Sequence, residues 1–104
     1  MALTREFRVT IQERAQREAA FRQALLKESV DALLAGDLAT GKGMLRDYIN
    51  AGIGFSALSE VTGIPSKSLM RMFGPKGNPR ADNLFNILRA LQAREGVRLE
   101  VAAA

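Results

Sequence analysis

No cysteine and no histidine occur among the 104 residues of the chain. Those two absences together remove the disulfide framework, the thiolate metal site, the usual imidazole base and the usual thiol nucleophile. An enzyme on this sequence would need a carboxylate or lysine centre, and no pair of acids converges in a recognisable way. The chain therefore reads as a non-enzyme with no cofactor and no metal. Long apolar runs are missing too: none approaches the ~18 residues of a membrane span, and the N-terminus has no signal-peptide h-region. The expected setting is cytoplasmic, with no membrane partner.

What is present is globular in composition, 47% hydrophobic and 25% charged. The length suits one small domain, 1–104, with a single core. The net charge is +4 and the isoelectric point about 10.1, compatible with a polyanionic partner. The excess is uneven. Residues 1–53 hold 8 Lys/Arg against 7 Asp/Glu, whereas 54–104 hold 7 against 4.

Along the chain, residues 1–7 read as a frayed end and 7–10 as a short extended piece. Thr10-Ile-Gln-Glu13 matches a capping box and predicts a helix start. Glu13/Arg17, Arg14/Glu18 and Glu18/Arg22 are opposite charges four apart, the pattern of a solvated helical face. Phe21, Leu25, Leu26, Val30, Leu33 and Leu34 recur at helical spacing and form the main apolar stripe of this half. Whether 10–36 is one helix or two stays open. Gly36 ends it and Asp37 starts a helix over 38–50, whose early glycines Gly41 and Gly43 predict a loose beginning. The string GDLATGKG over 36–43 satisfies G-x-x-x-x-G-K. It has Gly43 where a phosphate loop needs Ser or Thr, and it follows a helical stripe instead of a strand. A helix end and a new helix start explain it better.

The organising stretch is 55–74, FSALSEVTGIPSKSLMRMFG, which reads as two short helices joined by a glycine-centred turn. Leu58, Ile64, Leu69 and Met72 fall where the helices must bury side chains. Gly63 stands where the chain leaves the first helix in a left-handed conformation, and Pro65 suits the start of the second. Ser66, Lys67, Met70 and Arg71 share the opposite face of that second helix. A compact turn follows over 74–79. Helical spacing then resumes over 81–94, with Leu84, Phe85, Leu88 and Leu91 expected to be buried. Val97-Arg-Leu-Glu-Val101 alternates apolar and polar, which predicts a half-buried strand. It would pair with 7–9 or with the same strand of a second chain.

Residues 54–91 resemble the helix-turn-helix of phage Cro and lambda-repressor-type regulators. The string KSLMRMFGPKGNPRADNLFNILRAL is especially similar to the Xre-like addiction-module antidotes, the HigA-type antitoxins, in which a GNP turn follows the recognition helix. The resemblance implies an all-α fold: a small bundle of five to six helices containing a lambda-repressor-like helix-turn-helix, to which the alternation adds a short C-terminal β-strand. Residues 1–53 would be the helical support, 54–95 the reading core and 96–104 the strand and tail.

The resemblance further implies a sequence-specific regulator of transcription whose helix 66–73 enters the major groove of double-stranded DNA. Arg71 would donate two bonds to guanine, and Lys67 one to guanine or phosphate. Ser66 would donate or accept, and Met70 would touch a thymine methyl. Backbone amides around Phe55, Ser56 and Ala57 would meet a phosphate oxygen, with Lys76, Asn78 and Arg80 holding the backbone beside the groove. Phe55 and Met70 also read as core, and Asn78 as a turn former. Two half-sites one helical turn apart imply a homodimer, its candidate interface the strand 97–101 and the N-terminal helices. The alternative is an antitoxin that neutralises a small toxin protein through the N-terminal helices and regulates its own operon.

Overall fold

The computed structural model describes residues 4–104. The first helix, α1 (Arg5–Arg17), begins at Thr4, whose hydroxyl accepts from the Phe7 amide at 3.1 Å. The expected extended piece at 7–10 and the start at Thr10 are thus corrected. Thr10 lies inside the helix and its hydroxyl donates to the Glu6 carbonyl at 3.0 Å. A single bond from a threonine to an orphaned amide is enough to cap a helix, and Thr4 supplies it one and a half turns earlier. Residues 1–3 of the expected frayed end lie outside the described residues.

The open question over 10–36 resolves as two helices. Glu18 is extended (φ −118°, ψ 108°), and α2 (Ala19–Leu34) starts after it. Arg14 holds the joint, pairing with Glu18 at 2.7 Å and lying 4.4 Å over the Phe21 ring. Because Glu18 breaks the helix, Arg22 is not its ion-pair partner and turns to Glu95 instead.

Gly36 (φ 85°) ends α2, and Asp37 caps α3 (Leu38–Ala51) by accepting from the Thr40 amide at 3.2 Å. α3 is regular from Leu38, and Gly41 in its first turn is packed against α2. A Cβ on Gly41 would stand 2.6 Å from Leu33 Cδ2 and 3.0 Å from the Ser29 carbonyl, so the bare glycine lets α3 press against α2.

Three shorter steps complete the chain: α4 (Gly54–Thr62), α5 (Ser66–Met72) and α6 (Ala81–Glu95). Leu26, Leu45, Ile49, Leu58, Leu69, Ile87 and Leu91 are fully buried, one or more from each helix after α1, and they join into one core. The Phe55 and Phe73 rings meet in it at 6.4 Å. Phe85 was expected inside and is 67% exposed. The buried stripe of α6 runs through Ile87, Leu88 and Leu91, which leaves Phe85 on its flank.

α6 stops at Gly96 (φ 73°). The expected strand over 97–101 is not formed, and no strand occurs among the described residues. Its intrachain partner at 7–9 is helical, and a lone strand has nothing to pair with. The segment lies along α6 instead: Gln92 accepts from the Val97 amide through its carbonyl (3.2 Å) and from the Leu99 amide through Oε1 (2.8 Å). The result is a compact helical bundle, six helices among the described residues, in which α2 packs most extensively on α3 and α4 on α5 and α6. No helix of the described residues is long and apolar enough to cross a membrane.

Candidate nucleic-acid interface

Only Gly63, Ile64 and Pro65 separate α4 from α5. Gly63 takes the left-handed conformation (φ 77°), which costs a residue without Cβ nothing, and its amide donates to the Ser59 carbonyl at 2.8 Å. The Thr62 hydroxyl donates to the Leu58 carbonyl (2.8 Å) and accepts from the Ile64 amide (3.3 Å). From α6, Asn86 donates to the Thr62 carbonyl at 3.3 Å. The turn is thereby tied on both sides. Pro65 precedes α5 with φ −55°, and its carbonyl accepts the Leu69 amide at 3.0 Å.

One side of α5 is anchored: Leu69 and the Phe73 that follows the helix are buried, and Met72 is packed against the core. The other side is open. Lys67 and Arg71 are exposed, Met70 is half exposed and Ser66 half-buried. Lys67 and Arg71 stand one turn apart and make no ion pair among the described residues. Both cations are therefore at liberty to meet an external anion or base edge.

The turn after α5 is seated on the end of that helix. A Cβ on Gly77 would lie 1.8 Å from the Arg71 carbonyl oxygen and 2.6 Å from that of Met72. Lys42, from α3, donates its ammonium to the carbonyls of Gly74 (3.3 Å) and Gly77. Lys76, Asn78 and Arg80 project from this turn and its exit, all exposed. Arg80 pairs with Asp82 at 3.4 Å, but both are largely in water, where such a pair is worth little.

At the start of α4, Ser56 is exposed and Ala57 half-buried, while the Phe55 side chain is in the core. Only the backbone amide of Phe55 remains for a ligand. No side chain caps this helix.

Sequence reasoning missed Lys42, Asn86 and the contact that requires Gly77. It also missed a polar clamp that joins α2, α3 and α6. Arg22 grips Glu95 with two bonds, 2.7 and 2.9 Å, and donates to the Ala15 carbonyl at 3.1 Å. The Tyr48 hydroxyl donates to Glu95 at 2.6 Å. Hydrogen bonding from Arg22 holds the Glu95 carboxyl below the usual carboxylate range; burial opposes this and the Tyr48 hydroxyl adds to it. Burial, and next the bond to Glu95, pushes the Tyr48 phenol up. One signal was available: an acid in the last turn of a helix opposes the helix dipole and needs a cation from elsewhere.

No protein-family model matches the chain, and neither a curated protein nor a solved structure matches it.

Proposed function

We propose that the chain is a sequence-specific regulator of transcription that binds double-stranded DNA, with α4, the 63–65 turn and α5 acting as a lambda-repressor-type helix-turn-helix. The observation that carries this reading is the two-sided character of α5. Leu69 and Phe73 fix it in the core, while Lys67 and Arg71 stand exposed and unpaired one turn apart on its other side. In this reading Arg71 bonds guanine O6 and N7, Lys67 bonds a neighbouring guanine or phosphate, and Ser66 and Met70 complete the contact with bases. Lys76, Asn78 and Arg80, with the amides of Phe55, Ser56 and Ala57, hold the phosphates on either side. The protein acts in the cytoplasm as a homodimer of the Xre type, on two half-sites.

Selection from random double-stranded DNA tests it. The expected outcome is enrichment of one short sequence, bound more weakly by Arg71→Ala. Absence of enrichment, or equal binding by that variant, overturns the reading.

A second reading, an antitoxin that grips a small toxin protein through its N-terminal helices, is favoured by one observation. Phe7 and Val9 of α1 are about half exposed. Co-purification with the product of a toxin-like gene beside this one tests it.

A further inference from the structure

We infer that the hollow between α2 and α6 is a binding site for a small molecule with an apolar body and a single carboxylate. The two helices are joined at one end by the Arg22–Glu95 pair and flank a cavity of about 840 Å³ farther along. Leu38 of α3 and the tail from Leu99 to Ala102 line it as well, so four segments of the chain bound it. The volume lies within the roughly 300–1,000 Å³ of small-ligand sites, which are concave, mostly apolar and supplied with a few polar groups.

The lining supplies the apolar part. Leu88 is buried, and Val30 and Leu33 are partly buried against the core, which makes the base of the hollow apolar. Leu34, Phe85 and Val101 are 64%, 67% and 80% exposed and bring further hydrocarbon to its edge. A hydrocarbon body seated among them would take all of these surfaces out of water.

The polar side chains of the lining select the head group, because all but one are already matched within the chain. Lys27 pairs with Asp31 at 2.7 Å, and Glu100 with Arg98 at 2.9 Å. The Gln92 amide donates to the Leu88 carbonyl and accepts from the Leu99 amide. Arg89 alone pairs with no acid among the described residues. A guanidinium is always charged and presents two parallel donors that match a carboxylate. One unmatched cation beside an apolar hollow calls for one negative charge on an apolar molecule. A nucleic acid or an anionic membrane surface would call instead for an excess of cations, and the lining carries two bases against two acids. Lys67 and Arg71 do not line the hollow, so this site does not depend on the DNA-binding reading.

Calorimetric titration of the full chain with dodecanoate, kept below its micellar range, tests it. Saturation at one dodecanoate per chain is expected. Arg89→Gln should weaken dodecanoate by about fivefold or more and leave dodecanol unchanged, and dodecylammonium should bind more weakly than either. Phe85→Asp and Val101→Asp should each weaken dodecanoate and dodecanol together, with the helical circular dichroism intact. Val101 lies outside every helix, so its replacement keeps the test decisive even if Phe85→Asp fails to fold. Absence of saturable binding overturns the proposal and leaves the hollow to a protein partner, or to a membrane surface if vesicles of phosphatidylglycerol are bound instead. Binding that neither Phe85→Asp nor Val101→Asp reduces overturns it by placing the site elsewhere. Arg89→Gln binding dodecanoate as tightly as the wild type, or dodecylammonium bound as well as dodecanoate, overturns the carboxylate.

Discussion

Lys42 and Gly77, 35 residues apart in the chain, are joined by a hydrogen bond from the lysine ammonium to the glycine carbonyl. The same ammonium reaches the Gly74 carbonyl at 3.3 Å. One side chain of α3 thereby fixes the turn that follows α5, and with it the C-terminal end of the proposed reading helix. Lys42→Met keeps the aliphatic stem and removes both bonds. It should lower stability by about 1–2 kcal/mol in a urea titration. Amide exchange should quicken at Gly74 and Gly77 before it does in α2.

Two glycines should respond in opposite directions to the same change. Gly77→Ala drives a methyl group onto the Arg71 carbonyl, a rigid backbone atom, and should cost about 2 kcal/mol or more. Gly43→Ala meets nothing within 4 Å inside α3 and should add about 0.5–1 kcal/mol through helix propensity alone. Thermal melts of the two variants check the pair.

Glu95 gives stability a defined dependence on acid. Its carboxyl is held low by Arg22, so the folded state favours the ionised form. That contribution is fully present above the ordinary glutamate value of about 4.3 and is lost as pH falls through the lowered folded value. Glu95→Gln should cost about 2 kcal/mol at neutral pH. The gap between the variant and the wild type should close on acidification, as read by denaturation at a series of pH values.

For the proposed DNA contact, Arg71→Ala should relax preference at one base position and cost about 1–3 kcal/mol. Lys76→Ala should weaken all sequences alike and reduce the slope of affinity against salt. Gel-shift titrations on a selected site at several salt concentrations separate the two effects.

Where a boundary depends on a few neighbouring atoms, the sequence was readable. Gly36, Asp37, Gly63 and Gly96 mark their helix ends because a left-handed turn or a capping carboxylate is a local matter. The exposed side of α5 was equally legible, since Leu69 and Phe73 leave only one face for Lys67 and Arg71. Failures came where the outcome depended on a distant partner. The alternation of 97–101 describes a chain with one apolar side, and that side can lie on a helix as well as in a sheet. Thr10 matched a richer capping pattern than Thr4, yet one hydrogen bond at Thr4 was enough. Lys42, lodged among small residues, gave no local sign that it would reach a turn more than thirty positions away.

The Arg22–Glu95 pair spans 73 positions, and this bears on how the molecule comes into being. Emerging from a ribosome, the chain presents Arg22 and Tyr48 long before their carboxylate partner exists. The first three helices pack on one another, but the bonds from Arg22 and Tyr48 to Glu95 form only once α6 has been made. One carboxylate in the last turn of α6 therefore closes a polar clamp whose other members are made early in synthesis.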